Sequence, residues 1–262
     1  MPSTASSPFR LDGLSALISG AGGGIGTSLV TSFRSAGARV IGADRDASML
    51  SAFGFEQSVI CDLADSAATY RAAEAHLEKH GVPDIVVANA GYTRAEVLDD
   101  LDPAVWDAEI AINLNGTYAM TAPIVEAMAK RGSGCIVLIS SVNGLSHFGN
   151  PAYAAAKAGL IAYAKAIAVE RGARGVRANV VCPGSVRTPA WDHRLAARPD
   201  LLDAVVAHYP LGRIVTPDEV TNAVLFLASP AASGITGAVL TVDAGLTAGN
   251  VRFINDVLKR PQ

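Results

Sequence analysis

The feature that most constrains the fold is a glycine-rich run, Ser19-Gly-Ala-Gly-Gly-Gly-Ile-Gly26. The apolar segment Ala16–Ser19 before it is typical of a buried parallel strand, and Ile25–Ser35 after it has helical periodicity. Glycines at such a turn allow a tight bend and let backbone N–H groups approach a phosphate at a helix N-terminus. The run therefore predicts a βαβ unit that binds the pyrophosphate of a dinucleotide.

The rest of the chain repeats the alternation of apolar strands and amphipathic helices, which is typical of an α/β fold. The predicted strands are Ala16–Ser19, Arg39–Ala43, Ser58–Cys61, Ile85–Ala88, Cys135–Ser140, Val176–Val181 and Ala238–Val242. The predicted helices are Ile25–Ser35, Ser66–His80, Pro103–Arg131, Ala152–Arg171 and Pro217–Ala228. A barrel shows the same alternation, but the glycine run favours a single doubly wound Rossmann domain. We expect a seven-stranded, mostly parallel sheet with helices on both faces.

A length of 262 residues suits one such domain, which we place at residues 11–246. Residues 1–10 are predicted to be a flexible tail. Residues 188–215 interrupt the alternation with polar, basic and aromatic residues, as a substrate loop does. The tail 247–262 carries an apolar set that either docks on a neighbouring subunit or covers the pocket. This set is Val251, Phe253, Ile254, Val257 and Leu258.

Composition excludes several classes of protein. A 50% hydrophobic fraction excludes intrinsic disorder, and a net charge of −3 argues against a broad nucleic-acid surface. Neither a signal peptide nor a membrane-spanning helix is predicted. Three cysteines without a CxxC pair favour buried thiols and a cytoplasmic location. His76 and His80 share a helix face, but no third ligand accompanies them, so no catalytic metal is predicted.

Asp44 ends the second predicted strand, 18 residues after Gly26. A carboxylate near that offset accepts hydrogen bonds from a ribose 2′-hydroxyl and repels a 2′-phosphate, which favours NAD over NADP. Arg45 argues in the other direction, because a guanidinium pairs with phosphate. We give Asp44 the greater weight.

Tyr153 and Lys157 are four residues apart at the start of a predicted helix, so they share one face. A nearby ammonium favours the tyrosinate and is expected to lower the pKa of the phenol toward working pH. A pair at this spacing is weak evidence by itself. Together with the glycine run it indicates a dinucleotide-dependent active site.

From Leu11 to about Leu246 the sequence resembles the short-chain dehydrogenase/reductase family. The motifs that carry the resemblance are Ser19–Gly26, Asn89-Ala-Gly91, Asn113, Ser140-Ser141, Tyr153-xxx-Lys157 and Pro183-Gly184. It implies Asn113, Ser141, Tyr153 and Lys157 as the catalytic set. In that set Tyr153 is the general acid/base, Ser141 orients the substrate oxygen, Lys157 tunes Tyr153 and holds the nicotinamide ribose, and Asn113 supports a proton relay.

The resemblance also implies a cofactor site. Its expected residues are Ser19, Gly20, Gly22, Gly24, Ile25, Gly26, Asp44, Arg45, Asp62, Leu63, Asn89, Ala90, Gly91, Tyr153, Lys157, Pro183, Gly184, Val186 and Thr188. Ser140 lies 13 residues before Tyr153, the usual family spacing, whereas Ser141 begins the Ser-x-x-Gly run that typically carries the catalytic serine. We predict Ser141, with Ser140 as the alternative.

We predict an NAD-dependent oxidoreductase that interconverts a secondary alcohol and its ketone. The expected substrate is polar, such as a polyol, sugar or hydroxy acid, with Asn143, His147, Trp191 and Arg194 as candidate contacts. The alternative is a 3-oxoacyl thioester (acyl-carrier-protein) reductase, and a less favoured one is a non-catalytic dinucleotide-binding protein. The family resemblance also implies a homotetramer or homodimer.

Overall fold

A computed structural model describes residues 7–259 and contains one seven-stranded sheet. The strands are β1 (Ser15–Ser19), β2 (Arg39–Asp44), β3 (Ser58–Ile60), β4 (Ile85–Ala88), β5 (Gly134–Ile139), β6 (Val176–Pro183) and β7 (Val239–Val242). Their order is β3-β2-β1-β4-β5-β6-β7, and every neighbouring pair is parallel. The strand order reverses between β1 and β4, where ligands bind in open parallel sheets. The predicted fold is confirmed.

Helices connect the strands. They are α1 (Gly24–Ser35), α2 (Ala47–Ser51), α3 (Ser66–His80), α4 (Pro103–Ile110), α5 (Gly116–Arg131), α6 (Pro151–Arg171), α7 (Ala190–Ala197), α8 (Leu201–Val206) and α9 (Pro217–Ala228). Short helical turns follow β7 at Leu246–Ala248, Val251–Phe253 and Ile254–Leu258. Asp65 caps α3 and Asp102 caps α4, each accepting a backbone N–H, and Pro103 occupies the first turn of α4.

Alternate residues of each strand enter two separate cores, as the period of two requires. Ile18 of β1 packs on the side of α1 and α9, whereas its neighbour Leu17 packs on the side of α5 and α6. Covering both faces with helices explains why the strands read as continuous apolar runs. The stretch Pro151–Arg174 is long and apolar enough to cross a membrane, but a helix buried in a protein core meets the same criterion.

The structure differs from the predicted helices in three places, and one of them is α2, which was not predicted. The helix predicted at Pro103–Arg131 is divided into α4 and α5 by a π-helical turn, Ala111–Asn115. The predicted substrate loop, residues 188–215, contains the helices α7 and α8. Of the predicted N-terminal tail, residues 1–6 lie outside the described part of the chain. The backbone N–H of Ala231 donates to the Pro8 carbonyl oxygen at 3.1 Å, so the tail contacts the domain from residue 8 onward.

Candidate active site

The glycine run forms the turn between β1 and α1. Gly20 has a φ of +63°, a conformation that favours glycine. A Cβ on Gly26 would lie 1.9 Å from the Gly20 carbonyl oxygen, so the helix packs directly on the loop. The N-cap of α1 is Gly23, and the first turn has no side-chain cap and no acidic residue. Its backbone N–H groups are therefore suited to an anion.

Ser19 and Asn89 join the ends of β1 and β4. The Ser19 hydroxyl accepts hydrogen bonds from the backbone N–H groups of Asn89 (3.0 Å) and Ala90 (3.1 Å). In return, the Asn89 side chain donates to the carbonyl oxygen of Ser19 at 3.0 Å. These hydrogen bonds fix the ends of β1 and β4 relative to each other, at the point where the strand order reverses.

Asp44 lies at the end of β2 beside the glycine run. One carboxylate oxygen accepts the Gly22 N–H at 3.3 Å, and the other accepts the Arg45 N–H at 2.8 Å. Two backbone N–H groups thus fix the position of the Asp44 carboxylate beside the glycine run. Asp62, after β3, lines the same wall, and its carboxylate accepts the Ala64 N–H at 2.9 Å.

A cleft of about 370 Å³ runs along these strand ends. Among the predicted cofactor residues, those that line it are Ser19, Gly20, Gly24, Ile25, Asp44, Arg45, Asp62, Leu63, Asn89, Ala90, Gly91 and Thr188. The lining residues that sequence reasoning missed are Gly23, Ala43, Met49, Cys61, Tyr92 and Ile112. Gly23, Ala43, Cys61, Tyr92 and Ile112 each adjoin a predicted site residue in the chain, so widening the motifs by one position would have found them. Met49 enters from α2, and the sequence gives no signal for it.

The remaining predicted cofactor residues are not among those that line this cleft. Gly22 approaches α2, since a Cβ there would be 2.6 Å from the Met49 Cβ. Pro183 ends β6, and the Gly184 N–H donates to the Val242 carbonyl oxygen at 3.0 Å. Val186 pairs with Val215 in an isolated β-bridge. Thr188 follows that bridge and lies against Gly24. A Cβ on Gly24 would be 2.8 Å from the Thr188 Cβ.

Tyr153 and Lys157 lie on one face of α6, with the Lys157 Nζ 5.3 Å from the centre of the Tyr153 ring. The ammonium donates to the Ile139 carbonyl oxygen at 2.9 Å, and the lysine side chain is fully buried. Ser141 begins the turn after β5, and its hydroxyl accepts the Asn143 N–H at 3.2 Å. A side-chain hydrogen bond between Ser141 and Tyr153 favours the phenolate.

The pKa values of this pair differ from the sequence-based expectation. Burial raises the pKa of Tyr153 to about 12, and the hydrogen bond from Ser141 only partly opposes it. Burial also lowers the pKa of Lys157 to about 8. In the protein alone, loss of solvation therefore sets the direction of the Tyr153 pKa shift, and the Lys157 ammonium donates to the Ile139 carbonyl oxygen.

Ser140 and Ser141 have different surroundings. The Ser140 hydroxyl donates to the Lys157 carbonyl oxygen at 2.8 Å and is buried between β5 and α6. A Cβ on Gly144 would lie 2.8 Å from that same hydroxyl, so the site leaves no room for a substrate there. Ser141 is the serine that lies beside Tyr153.

Asn113 lies in the π-helical turn and is fully buried. Its amide donates to the carbonyl oxygens of Tyr92 (2.6 Å) and Glu109 (2.8 Å), and its side-chain oxygen accepts the Tyr92 N–H at 3.0 Å. A π-helical turn of this kind is frequent at functional sites because it redirects one helical residue. Here it directs Asn113 at the loop that follows β4.

The four predicted substrate contacts have different settings. Asn143 donates to the Gly149 carbonyl oxygen at 2.7 Å and closes its own loop, whereas His147 is exposed. Trp191 is buried in the core, and Arg194 stacks on its ring and pairs with Glu96 at 3.0 Å.

The C-terminal tail borders an open cavity of about 760 Å³ between the loop after Ser141 and the end of the substrate loop. The residues that line it include Leu145, Phe148, His208, Asn250, Arg252, Phe253 and Val257. The tail borders this cavity, while the apolar side chains of Phe253, Ile254, Val257 and Leu258 are exposed.

Within residues 7–259 no group of three or more histidine, cysteine or acidic side chains is placed to hold a metal ion. His76 and His80 stack with their ring centres 5.2 Å apart, and His76 is buried.

Sequence comparison agrees with this geometry. A family described as Enoyl-(Acyl carrier protein) reductase matches residues 20–247. D-threitol dehydrogenase from Mycolicibacterium smegmatis is 37% identical, covering 91% of this chain and 95% of its own. Galactitol 2-dehydrogenase (L-tagatose-forming) from Cereibacter sphaeroides is 36% identical, covering 91% and 97%. A 3-oxoacyl-[acyl-carrier-protein] reductase from Thermotoga maritima is 37% identical, covering 91% and 99%.

Solved structures show the same fold. A short-chain dehydrogenase/reductase from Burkholderia thailandensis is 44% identical with a TM-score of 0.86, covering 94% of this chain and 98% of that one. A gluconate 5-dehydrogenase from Burkholderia cenocepacia, in complex with NADP and tartrate, is 32% identical with a TM-score of 0.85, covering 92% and 98%. The chain therefore belongs to the short-chain dehydrogenase/reductase family of oxidoreductases.

Proposed function

We propose that this protein is an NAD-dependent dehydrogenase that interconverts a polyol or related polar secondary alcohol and its ketone. The observation that carries the proposal is the placement of Tyr153, Ser141 and Lys157 around one point at the carboxyl edge of the sheet. A site that only bound a dinucleotide would not need this set.

The residues along the cleft fit a dinucleotide. The close approach of Gly20 and Gly26 leaves the uncapped first turn of α1 open to a pyrophosphate. Asp44 supports NAD, because its backbone-held carboxylate would accept a ribose 2′-hydroxyl and repel a 2′-phosphate. The NADP in the gluconate 5-dehydrogenase structure argues for testing both forms. When bound, the dinucleotide supplies the hydride acceptor for oxidation and the hydride donor for reduction.

The chain's own residues handle the proton on the substrate oxygen. Tyr153 takes that proton during oxidation and returns it during reduction, which is the general acid/base role. Ser141 donates a hydrogen bond to the same oxygen and orients it. The Lys157 ammonium sits under the tyrosine ring and favours a developing negative charge on the phenol. Asn113 positions the loop that borders both the cleft and this point.

Two of the relatives support a polyol as substrate, since their names state activity on D-threitol and galactitol. The cavity beside the tail adds polar groups on which hydroxyls can form hydrogen bonds, including His208, Asn250 and Arg252. The same cavity also has apolar walls. A short polyol chain suits this mixture.

Reduction of a 3-oxoacyl thioester is the second candidate function. The Thermotoga maritima relative and the description of the family both favour it. That chemistry uses the same Tyr153 and Ser141, so the substrate and not the catalytic set distinguishes the two functions. A preference for NADPH would support the reductase.

The test is the absorbance of the reduced nicotinamide during oxidation of a panel containing D-threitol, galactitol, gluconate and simple secondary alcohols. NAD and NADP would be compared, and Tyr153→Phe would be the blank. Turnover of a polyol with NAD is expected, with a loss of about 10²- to 10⁴-fold in Tyr153→Phe. Reduction of acetoacetyl thioesters with NADPH and no polyol oxidation would overturn the proposal in favour of the reductase.

We also propose a homodimer or homotetramer. The surface formed by α3, α5 and α6 exposes apolar and aromatic side chains, among them Tyr70, Tyr118 and Val169. An unpartnered apolar face of this kind is typical of a subunit contact. A cytoplasmic location is consistent with the three free cysteines, which suit a reducing compartment.

A further inference from the structure

Glu109 is a buried carboxylate that the proposed mechanism does not use. It lies in the last turn of α4, one turn before Asn113, and its side chain is only 1% exposed. One carboxylate oxygen accepts hydrogen bonds from the backbone N–H groups of Arg94 and Ala95. The other oxygen is buried without a hydrogen-bond partner. A buried and half-satisfied carboxylate is costly, so its presence requires an explanation.

The loop after β4 connects Glu109 to the helix that carries Tyr153. The Asn113 side chain accepts a hydrogen bond from the backbone N–H of Tyr92. The Glu109 carboxylate accepts hydrogen bonds from each of the next three residues, 93–95. At the far side of this loop, Asn150 donates to the carbonyl oxygens of Ala95 (2.9 Å, from its side chain) and Glu96 (2.8 Å, from its backbone).

Asn150 precedes α6 directly, and its φ of +53° is tolerated because asparagine adopts this conformation. Tyr153 is in the first turn of α6. Glu109 is therefore linked through one short loop to the N-terminus of the helix that places the phenol.

Glu109 also affects Tyr153 through its charge. Burial is the main cause that raises the pKa of the phenol, and the charges of Cys182 and then of the Glu109 carboxylate raise it further. The other polar groups around the phenol are Ser141, which opposes the rise, and Lys157 beneath the ring. In a buried site a charge acts over longer distances than in water, because screening is weak.

We propose that Glu109 is a positioning residue for Tyr153, acting through the 93–95 loop and through its buried negative charge. This inference rests on the proposed function, because it assigns Tyr153 the proton transfer. It predicts two separable effects. The hydrogen bonds from Glu109 to the loop affect the position of Tyr153, and the charge of Glu109 affects the protonation of the phenol.

Two variants separate these effects. Glu109→Gln keeps an acceptor oxygen for the loop N–H groups but removes the charge. We expect the midpoint of its profile of oxidation rate against pH to lie at lower pH than in the wild type, with little change in KM. Glu109→Asp keeps the charge but is one methylene shorter. We expect a kcat loss of about tenfold or more with the pH dependence unchanged. Glu74→Gln, at an exposed position on α3, is the matched control.

A direct titration supplies a readout that does not need turnover. The phenol carbon of Tyr153, labelled with ¹³C and assigned with Tyr153→Phe, should begin to titrate at lower pH in Glu109→Gln than in the wild type. If both the pH profile and this titration are unchanged in Glu109→Gln, the inference is overturned, even where the wild-type enzyme is active. If the titration shifts but no alcohol is oxidised, the inference holds and the proposed function fails.

Discussion

The Ser140 hydroxyl donates a hydrogen bond to the Lys157 carbonyl oxygen, 2.8 Å away, and so connects β5 to the middle of α6. Ser141, one residue later, faces the other way and contacts Tyr153. Adjacent residues of an extended chain point in opposite directions, so only one of the two serines is able to reach a substrate.

This arrangement predicts different consequences for the two alanine variants. Ser141→Ala should lower kcat by about 10²- to 10³-fold and change the free energy of unfolding by less than about 1 kcal/mol. Ser140→Ala should cost about 1–2 kcal/mol of stability and retain most of the turnover. Urea unfolding and steady-state kinetics on both variants provide the check, and the reverse pattern would identify Ser140 as the catalytic serine.

Asp44→Ala should relax the preference for NAD. Removing the carboxylate removes its repulsion of a 2′-phosphate, so the ratio of kcat/KM for NADP over NAD should rise at least about tenfold, or roughly 1.4 kcal/mol. The control is Asp107→Ala, which removes an exposed carboxylate from α4. An unchanged ratio in Asp44→Ala would remove the argument for NAD.

Lys157 should make stability depend on pH at alkaline values. Its pKa is about 8 in the fold against a usual 10.5, so the unfolded chain binds more protons between these values. The wild type should therefore gain roughly 1–3 kcal/mol of stability relative to Lys157→Met as the pH rises from 8 to 10.5. Denaturant unfolding of both proteins at several pH values would show it. If the free energies of unfolding of the wild type and Lys157→Met changed with pH in parallel, the predicted effect of burying Lys157 would be contradicted.

His76 should weaken the protein in acid. Burial lowers its pKa below the usual 6.5, and His80 and Arg39 lower it further. Its neutral form is favoured in the fold, so the stability that it contributes is complete above about pH 6.5 and lost as the pH falls. The free energy of unfolding between pH 7 and 5 should therefore fall more steeply in the wild type than in His76→Leu. The matched control is His147→Leu, at an exposed position.

Deleting residues 251–262 should affect the substrate and not the dinucleotide. Up to residue 259, where the described part of the chain ends, the tail lines the cavity near Phe148 and His208 and is not among the residues that line the dinucleotide cleft. We expect KM for the alcohol to rise roughly threefold to tenfold while KM for NAD is unchanged. Thr247 is retained because its N–H and hydroxyl bind Asp243 at 2.8 and 2.6 Å. A change in oligomeric state instead would favour the prediction that the tail docks on a neighbouring subunit.

The sequence predicted the sheet well because its signals are local. Each strand is a short apolar run that has to be covered on both faces, and the glycine run marks the first crossover. The helices α7 and α8 could not be predicted with the same success, since α7 is rich in polar residues and α8 is apolar but only six residues long. They are held by tertiary contacts, such as the burial of Trp191.

The candidate site was predictable where a residue type is required by its chemistry, as at Tyr153 and the glycines. It was not predictable where the position of a side chain depends on partners that are distant in the sequence. Arg194 illustrates this, because its partner Glu96 is 98 residues earlier in the chain. Likewise, the pKa of Tyr153 depends on how completely the phenol is desolvated, which spacing in a helix does not reveal.

The π-helical turn at Ala111–Asn115 makes the length of this helical segment functionally sensitive. A π-helical turn contains one residue more than the α-helical turn it replaces, so deleting one residue there would restore a regular α-helix and remove the local geometry that directs Asn113 at the loop after β4. An inserted residue would instead rotate α5 by about 100° relative to α4 and turn the apolar face of α5 the wrong way. This segment should therefore tolerate substitutions at exposed positions far better than it tolerates a single insertion or deletion.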